Sequence, residues 1–457
     1  MSTKTEHVHF IGIGGYGMSA IARVLVDMGY KVSGSDMARK ELTDKLESRG
    51  AQVFIGHEAK NVTGANVVVY STDIPKDNVE LQEAESRKIP LIHRSEMLAR
   101  ILNERSGIAV SGAHGKTTTS SMISLVMEKA GADPTYIIGG EIVDIGSNAR
   151  AGKGPFVVAE ADESDGSFLQ YHPEIAVVTN IEPDHLENYE GDFENLKKAY
   201  RKFLANVREK GTAIVCLDDE YIREMLPDVK CNYITYGLET QADFTADDIV
   251  YGDRTVSFNV KKGNQPLGQV KLSVPGRHNV LNALATIVVC LQAGIAFPAI
   301  AEAIKAFRGA KRRFQVIGEA KDILVVDDYA HHPTEIEATI QAAKSTNRRI
   351  WAVFQPQRYT RTFFLLDAFS RAFAEADRVV IADIYSPAND TKMEVTAQAL
   401  VDLIKQNSNE NVVFMPTKDD VFNYLIEAVQ PGDLVITMGA GDIWKVADQL
   451  AEALERE

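Results

Sequence analysis

Residues 111–119, Ser-Gly-Ala-His-Gly-Lys-Thr-Thr-Thr, constrain the fold of this 457-residue chain most strongly. They follow an apolar run at residues 108–110 and precede a helical pattern at residues 122–127. A strand, a glycine turn ending in Gly-Lys-Thr and a helix direct backbone N–H groups and a helix N-terminus at phosphate groups. Full Walker spacing needs a glycine at position 110, where this chain has Val110, so we predict a shortened phosphate loop. A simple glycine turn before a helix is the alternative.

Composition excludes several classes of protein. The chain is 45% apolar and 25% charged, values ordinary for a soluble globular protein. Its net charge is −15, from 49 basic and 64 acidic residues. Proteins that bind nucleic acid or membranes in general need a basic field, so we expect neither partner. Binding of an anionic nucleotide is still allowed, because a local loop overrides the mean field.

Cysteine usage and the chain start bear on location. Cys216, Cys231 and Cys290 are widely spaced and fit neither a zinc site nor a disulfide framework. Reduced thiols in a cytosolic protein are therefore expected. The first residues lack the apolar run of a signal peptide, and no stretch of about 18 apolar residues indicates a membrane span. We expect a cytoplasmic location.

Changes of pattern divide the chain into three predicted domains, residues 1–105, 106–313 and 314–457. The first and third alternate strands with helices, which predicts Rossmann-like parallel sheets. The second contains the phosphate loop and, at residues 243–274, short β-rich runs separated by turn signals. These runs predict a small antiparallel excursion. The predicted fold class is α/β, with a central phosphate-loop ATPase domain between two Rossmann-like domains.

The first domain opens with a dinucleotide fingerprint. Residues 12–17 fit G-x-G-x-x-G between a strand and a helix, and Asp36 lies 19 residues beyond Gly17. Alone, this pattern indicates NAD, with Asp36 on a ribose. The glycine turn accepts any pyrophosphate, however, including that of a UDP-sugar. Nothing further along the chain is typical of hydride transfer.

Two polar segments follow neighbouring predicted strands of the second domain. Residues 160–165 are rich in acids, and residues 180–185 end the next strand candidate. The carboxyl ends of parallel strands line the ligand crevice, where the phosphate loop also lies. Mg²⁺ prefers hard oxygen ligands, so Glu160 and the Thr117 hydroxyl are predicted ligands. His185 is either a less typical ligand or a partner of the ligands, and a solvated acidic loop is the other interpretation.

Together these segments resemble the Mur ligases, ATP-dependent amide-forming enzymes of peptidoglycan precursor synthesis. The resemblance covers nearly the whole chain. It rests on residues 12–19 with 33–36, 112–119, 159–169, 180–185, 275–279 with 282–283, 312–315, 327–335 and 354–362. Such an ordered set is far more specific than any one motif.

The resemblance implies three domains that bind a UDP-sugar, bind ATP and close over both. The implied contacts of the UDP-sugar are Gly14, Gly15, Tyr16, Gly17, Met18, Ser19 and Asp36. The implied ATP contacts are Gly112, Ala113, His114, Gly115, Lys116, Thr117, Thr118, Asn282, Arg313 and Asp328. The implied Mg²⁺ positions are Thr117, Glu160 and His185, and the implied amino-acid pocket is Tyr329, His331, Arg358 and Arg361.

The implied reaction activates the lactyl carboxylate of UDP-N-acetylmuramate with ATP, after which the amine of L-alanine displaces phosphate. Lys116, Arg313 and Mg²⁺ would offset the charge of the two anions that meet. Arg358 and Arg361 would hold the carboxylate of alanine, with surface arginines as the alternative. His185 and His331 are the two candidates for the base that accepts the proton of the amine, and the sequence does not choose between them. A ligand set spread over three domains predicts closure before chemistry.

Two positions depart from the family pattern: Ala113 stands where threonine is usual, and Gln357 where histidine is expected. No lysine is assigned as a carbamylated, metal-bridging residue. A ligase that recycles a preformed peptide onto the same sugar nucleotide is the main alternative, and a folate-type polyglutamate ligase would lack the first domain. An NAD-dependent oxidoreductase and a nucleotide switch are alternatives from other classes. No obligate protein partner is evident.

Overall fold

Three sheets of mainly parallel strands organise the chain, and a computed structural model describes residues 6–164, 166–387 and 390–456. By their internal contacts the described residues form two compact units. The first unit takes its residues from 1–246, 260–268 and 281–304, and the second from 247–259, 269–280 and 305–457. Among the described residues, no helix is both long enough and apolar enough to cross a membrane.

The first sheet has the strand order β3-β2-β1-β4-β5, with parallel neighbours throughout. Its elements are β1 (His7–Ile11), α1 (Tyr16–Asp27), β2 (Lys31–Asp36), α2 (Glu41–Glu47), β3 (Gln52–Ile55), β4 (Val67–Tyr70), α3 (Val79–Ser86), β5 (Leu91–His93) and α4 (Arg94–Asn103), with a 3-10 helix at Ala59–Val62. The order reverses between β1 and β4, and this switch point is where open α/β sheets bind ligands.

The second sheet has the order β15-β14-β13-β12-β11-β10-β6-β9-β7-β8. Its elements begin with β6 (Ser106–Ser111), α5 (Lys116–Lys129), β7 (Thr135–Ile142), β8 (Ser147–Arg150), β9 (Phe156–Glu160), β10 (Ile175–Val178), α6 (Phe193–Ala205), β11 (Thr212–Cys216) and α7 (Glu220–Met225). They continue with β12 (Asn232–Gly237), β13 (Phe244–Gly252), β14 (Thr255–Lys262), β15 (Gln265–Leu272), α8 (Arg277–Gln292) and α9 (Phe297–Lys305). Further 3-10 helices lie at Ser167–Gln170, Leu186–Tyr189 and Leu226–Asp228.

The third sheet has the order β16-β17-β21-β18-β19-β20. Its elements are β16 (Gln315–Ala320), β17 (Ile323–Asp328), α10 (Pro333–Ala343), β18 (Arg349–Phe354), α11 (Tyr359–Phe364), α12 (Leu366–Arg371), β19 (Arg378–Ile381), α13 (Ala397–Asn407), β20 (Val412–Phe414), α14 (Lys418–Ala428), β21 (Asp433–Met438) and α15 (Trp444–Arg456), with a 3-10 helix at Lys344–Thr346. Buried aliphatic residues of β17, β18 and β21 form the centre of its two apolar layers.

The predicted fold class is confirmed: along the chain, a sheet of Rossmann type precedes the central sheet that carries the phosphate loop, and another sheet of Rossmann type follows it. The predicted antiparallel excursion corresponds to β13, β14 and β15, which are joined by two-residue connections typical of hairpins. Sequence patterns missed the antiparallel pair β7–β8 and the antiparallel edge strand β16. Both contain glycine and charged residues, so they lack the continuous apolar run of a buried parallel strand.

A buried carboxylate ties α3 to the first sheet. Glu80 is fully buried and accepts hydrogen bonds from Ser35 Oγ at 2.7 Å, Asn61 Nδ2 at 2.7 Å and His9 Nε2 at 3.1 Å. Burial alone would raise the pKa of Glu80, but the hydrogen bonds from His9, Ser35 and Asn61 outweigh it and hold the pKa below its ordinary value. The carboxylate therefore stabilises the folded first domain at neutral pH.

Replacing Glu80 with alanine leaves these buried donors unpaired, so we expect a loss of about 3 kcal/mol of unfolding free energy at pH 7. Denaturant titration would measure it. Glu83→Ala is the matched control, since this half-buried α3 carboxylate forms a surface ion pair with Arg87, and its loss should cost under about 0.5 kcal/mol. Because the folded pKa of Glu80 is lowered, its contribution is present above the ordinary carboxyl pKa of about 4.3 and is lost as pH falls through the folded value. Equal losses for both variants would contradict this role.

Candidate active site

The phosphate loop connects the end of β6 to the start of α5 and depends on two glycines. Gly112 has φ 140° and Gly115 has φ 83°, values that residues with side chains rarely adopt. A Cβ on Gly112 would lie 2.0 Å from Thr179 Oγ1, and one on Gly115 would lie 2.6 Å from Asn282 Oδ1. The loop therefore packs so closely against its neighbours that neither position accepts a side chain.

The end of β10 fixes the shape of this loop. Asn180 Oδ1 accepts the His114 N–H at 2.8 Å, and Asn180 Nδ2 donates to the His114 carbonyl at 3.1 Å. The Asn180 carbonyl accepts the Ala113 N–H at 3.2 Å, and the Thr179 hydroxyl donates to the His114 carbonyl at 2.6 Å. Ala113 thus contributes its backbone here, so a missing side-chain hydroxyl does not disturb the loop.

Lys116 lies at the start of α5 and turns back over the loop. Its Nζ donates to the Gly112 carbonyl at 2.6 Å and to both Glu163 carboxylate oxygens at 2.8 Å. Burial would lower the pKa of Lys116, but the negative charge of Glu163 outweighs burial and the pKa lies above its ordinary value. The site therefore holds a charged ammonium beside open backbone N–H groups.

Thr117 and Glu160 come together at the same edge. The Thr117 hydroxyl lies near the Glu160 carboxylate and acts to lower its pKa, and Glu160 Oε1 accepts the Gly139 N–H at 2.7 Å. Burial raises the pKa of Glu160, so the carboxylate would gain from a nearby cation. An adjacent hydroxyl and carboxylate are the hard oxygen donors that Mg²⁺ prefers, so these residues fit the implied ion.

His185 lies in the connection after β10 and has a left-handed backbone conformation with φ 55°. Its Nε2 lies 3.5 Å from Asp184 Oδ2. Burial acts to raise the pKa of nearby Asp162, but Lys116, hydrogen bonds from Ser164 and a smaller electrostatic effect of His185 hold that pKa below its ordinary value. His185 therefore lies beside carboxylates, and its part in binding Mg²⁺ stays a prediction. Asp165, the last acid of the predicted run, lies outside the described residues.

Asn282 of α8 lies against the N-terminus of α5. Its Oδ1 accepts a hydrogen bond from Thr119 Oγ1 at 3.2 Å and lies beside Gly115. The structure thus brings Asn282 to the phosphate loop.

The glycine turn after β1 leads into a second helix N-terminus of the first unit that no side chain caps. Gly15 caps α1 without a side-chain hydrogen bond, so the first N–H groups of the helix are open. Asp36 Oδ2 accepts the Gly14 N–H at 2.9 Å, while its Oδ1 pairs with Lys40 Nζ at 3.0 Å. Asp36 therefore holds the turn in shape, a role that differs from the ribose contact of the NAD pattern. Tyr16 is exposed, whereas Met18 and Ser19 are buried in the first turns of α1.

Within the second unit, four predicted residues lie together at the carboxyl end of β17: Arg313, Asp328, Tyr329 and His331. Buried Asp328 accepts the N–H groups of Phe314 and Ala330, each at 2.8 Å, and burial raises its pKa to about 6 against the opposing charge of Arg313. Arg313 lies over the Tyr329 ring at 5.5 Å and donates to Glu335 at 3.3 Å.

Glu335 also orders His331. The Glu335 Oε2 atom accepts the His331 N–H at 2.9 Å, and the His331 ring lies 5.3 Å from the ring of Tyr329, edge to face. Arg313, Asp328, Tyr329 and His331 therefore form one group, which Glu335 at the start of α10 holds together.

Arg358 and Arg361 form a separate group at the start of α11. Arg358 caps this helix with φ 70° and ψ 131°, a strained conformation for a residue with a side chain. Its N–H donates to the Tyr385 carbonyl at 2.9 Å, and Arg361 Nη1 donates to Gln357 Oε1 at 2.9 Å. Both β17 and β18 pair with β21, with Asp328 and Phe354 opposite Met438, so the two groups lie two strands apart on one sheet edge. Gln357, the departure from the family pattern, thus contacts the predicted amino-acid pocket.

Sequence reasoning missed several residues of these sites. Asn180, Glu163 and Glu335 orient predicted residues, whereas the sequence patterns include them only within larger segments. Buried His278 was also missed: burial, assisted by Arg313, lowers its pKa to about 4, so its ring is neutral at pH 7. The sequence signal that could have identified these four residues is that each follows an apolar strand or a glycine turn.

Comparisons with known proteins place these sites in context. Three family models match the chain: the Mur ligase family, catalytic domain, at residues 7–106; the Mur ligase middle domain at residues 110–290; and the Mur ligase, glutamate ligase domain, at residues 312–441. These matches cover all three sheets.

Full-length relatives have the same organisation. A UDP-N-acetylmuramate–L-alanine ligase of Geotalea uraniireducens is 49% identical over 457 residues, covering 100% of this chain and 99% of that protein. An enzyme of the same name from Pelotomaculum thermopropionicum is 48% identical over 454 residues, covering 99% and 98%. The crystal structure of a UDP-N-acetylmuramate–alanine ligase from Thermotoga maritima superposes with a TM-score of 0.81 at 29% identity, covering 98% and 99%. Identity at this level along the entire chain establishes that it belongs to the Mur ligase family.

Proposed function

We propose that the chain is an ATP-dependent ligase that joins L-alanine to the lactyl carboxylate of UDP-N-acetylmuramate in peptidoglycan precursor synthesis. The observation that carries the proposal is the charged Lys116 over a glycine loop whose Thr117 contacts Glu160. That arrangement supplies both a cation for phosphate and oxygen ligands for Mg²⁺. The names of the full-length relatives support the choice of substrates.

Carboxylate activation is the first step of the proposed mechanism. The lactyl carboxylate attacks the γ-phosphate of ATP, and an acyl phosphate and ADP result. Two anions approach each other, so charge neutralisation dominates the barrier, and Lys116 and Arg313 provide it. Mg²⁺, held by Thr117 and Glu160 with His185 beside their neighbouring acids, would neutralise phosphate oxygens when bound. Asn282 and Asp328 are the proposed contacts on the nucleoside side.

Amide formation is the second step. The neutral amine of L-alanine attacks the acyl carbon, phosphate leaves, and the ammonium proton passes to a base. Arg358 and Arg361 are proposed to hold the alanine carboxylate, beside Tyr329 and His331. The strained backbone at Arg358 supports this assignment, since such conformations cluster at functional sites.

Domain roles follow from the same proposal. Residues 1–105 would bind the UDP-sugar, with its pyrophosphate at the open N-terminus of α1; residues 106–313 would bind ATP; and residues 314–457 would supply the amino-acid pocket. Both carboxylate oxygens of Asp36 already have partners, Gly14 N–H and Lys40 Nζ. This favours a structural role in the glycine turn over the ribose contact that NAD binding requires.

Phosphate release from ATP tests the proposed activity directly. With Mg²⁺ and UDP-N-acetylmuramate, the chain should release phosphate on addition of L-alanine and far less on addition of the tripeptide L-alanyl-γ-D-glutamyl-meso-diaminopimelate. Faster release with the tripeptide would favour the recycling ligase, and no substrate-dependent release would reject the ligase proposal. Mass spectrometry of the product should show one alanine added.

Replacing Lys116 with methionine should lower kcat by about 1,000-fold, because the charge that balances the triphosphate is lost. Lys129→Met is the matched control: this residue lies exposed at the last turn of the same helix and should leave kcat unchanged. Similar rates for both variants would exclude Lys116 from the chemistry.

The carboxylate of alanine gives a separate test of the second unit. Arg358→Gln should raise the KM for L-alanine by about 10- to 100-fold, the worth of a charge-assisted contact, with the KM for ATP unchanged. The exposed Arg371, which pairs with Asp367 on α12, is the control position for the same substitution. An unchanged KM for L-alanine in Arg358→Gln would show that Arg358 does not bind the alanine carboxylate.

A further inference from the structure

Five buried polar side chains of the first sheet and of α3 form a hydrogen-bonded chain that the proposed reaction does not use. His7 and His9 lie on β1, Ser33 and Ser35 on β2 and Glu80 on α3, and none is more than 5% exposed. Ser33 Oγ lies 2.7 Å from His7 Nε2 and 2.8 Å from His9 Nδ1. His9 Nε2 lies 3.1 Å from Glu80 Oε2. One serine hydroxyl therefore bridges two imidazole rings, and the second ring meets a carboxylate.

The Glu80 end of this chain accepts hydrogen bonds and donates none. Besides its contacts given above, Glu80 Oε1 accepts the Glu58 N–H at 3.2 Å, so two donors face each carboxylate oxygen. Asn61 Nδ2 also donates to the Gly56 carbonyl at 3.3 Å, which fixes the orientation of that amide. Because the lowered pKa of Glu80 keeps the carboxylate ionised, His9 Nε2 must carry a proton.

The His7 end of the chain has the same property. His7 Nδ1 lies 2.9 Å from the carbonyl oxygen of Gly64, and a carbonyl cannot donate, so this nitrogen carries a proton too. Between the two rings, the Ser33 hydroxyl has one proton to donate and an imidazole nitrogen on either side. One nitrogen accepts that proton, and the other must donate to the Ser33 oxygen. The donating ring then carries protons on both nitrogens, which makes it a positively charged imidazolium.

The surroundings of His7 place this charge on His9. Burial lowers the pKa of the His7 ring against the hydrogen bond to its backbone partner, and the charges of Lys31 and His9 lower it further. His9 faces the ionised Glu80 instead. Ser33 therefore donates to His7 Nε2, while the His9 ring donates to Ser33 and to Glu80.

The charged groups on neighbouring elements are compatible with this arrangement. His57, which follows β3, has its Nδ1 atom 2.9 Å from Ser35 Oγ and 3.6 Å from Glu80 Oε1. Because the Ser35 hydroxyl donates to Glu80, His57 Nδ1 donates to Ser35 Oγ. Lys60 pairs with Glu58 at 2.6 Å on the protein surface. The His9 imidazolium is thus the buried counter-charge of Glu80.

The end of β2 connects this buried charge to the glycine turn after β1. The Ser35 carbonyl accepts the Gly12 N–H at 2.8 Å and the Ile13 N–H at 2.9 Å. The hydroxyl of the same residue donates to Glu80 at 2.7 Å. A displacement of the Glu80 carboxylate therefore acts on the backbone of the turn through a single residue.

We propose that the chain from His7 through Ser33 to His9 holds one buried positive charge opposite Glu80, and that this ion pair positions the glycine turn. His9 and Glu80 are thus positioning residues, which act through Ser35 on the backbone of the turn. The positioning role rests on the proposed function, in which this turn binds the sugar nucleotide. The buried charge follows from the hydrogen-bond geometry and does not rest on that function.

Long-range ¹H–¹⁵N spectra of the full chain, labelled at its histidine nitrogens, test the buried charge, because they distinguish a doubly protonated ring from both neutral tautomers. At pH 7.5 a free imidazole with a pKa of about 6.5 is only about one-tenth protonated. The parent should show a fully protonated ring at this pH that is absent from His9→Gln. The same set of protonated rings in the parent and in His9→Gln would overturn the proposal.

Glu80→Gln keeps the size of the side chain and removes its charge. It should abolish the protonated ring and raise the KM for UDP-N-acetylmuramate by about 10-fold, with kcat and the KM for ATP within about threefold of the parent. Glu83→Gln, on the same helix, is the matched control and should change neither the spectrum nor the KM.

The two parts of the proposal have separate outcomes. An unchanged KM for UDP-N-acetylmuramate in Glu80→Gln would reject the positioning role, and His9→Gln, which also loses the charge, gives a second kinetic comparison should Glu80→Gln fail to fold. A parent chain without alanine-dependent turnover would reject the proposed function and the positioning role with it. The spectrum of that same chain would still decide the buried charge.

Discussion

The pairing of β6 with β10 is the constraint on which the nucleotide site depends. Their parallel register places Val178 beside Ser111, so Thr179 and Asn180 emerge next to the phosphate loop. Four hydrogen bonds from these two residues then fix the backbone of Ala113 and His114. Lys116 and Thr117 take their positions from this loop, and Glu160 from β9 on the other side of β6. A site of this kind is assembled by sheet register before any ligand arrives.

In the first sheet, too, a side chain from a neighbouring strand holds the backbone of a glycine turn, but the residue types differ. A glycine turn leaves β1, an acid at the end of the neighbouring strand holds its backbone, and the helix that follows starts without a cap. In the second sheet an amide performs the holding, and a lysine adds charge inside the turn. The two glycine loops therefore differ in charge, because the second carries Lys116 inside the turn, whereas residues 12–17 of the first are uncharged.

Sequence patterns predicted the sheets, the phosphate loop and most residues at strand ends, because apolar runs and glycine turns leave strong local signals. They failed for contacts that depend on register. Asn180 was grouped with metal-binding candidates, whereas its side chain holds His114, since spacing along the chain does not reveal a neighbour 66 residues away. The contact of Gly139 could not be predicted either. Its backbone N–H donates to Glu160 because β7, a strand that the sequence patterns missed, pairs with β9.

The ion pair between Lys116 and Glu163 has a consequence for nucleotide selection. A phosphate group that enters the loop competes with a carboxylate that already holds the ammonium by two hydrogen bonds. An anion of low charge gains little from replacing Glu163 at the ammonium. A triphosphate carries more negative charge than the Glu163 carboxylate and therefore interacts more strongly with Lys116. The carboxylate therefore competes with an entering phosphate group for the same ammonium, and the exchange favours ligands of higher negative charge.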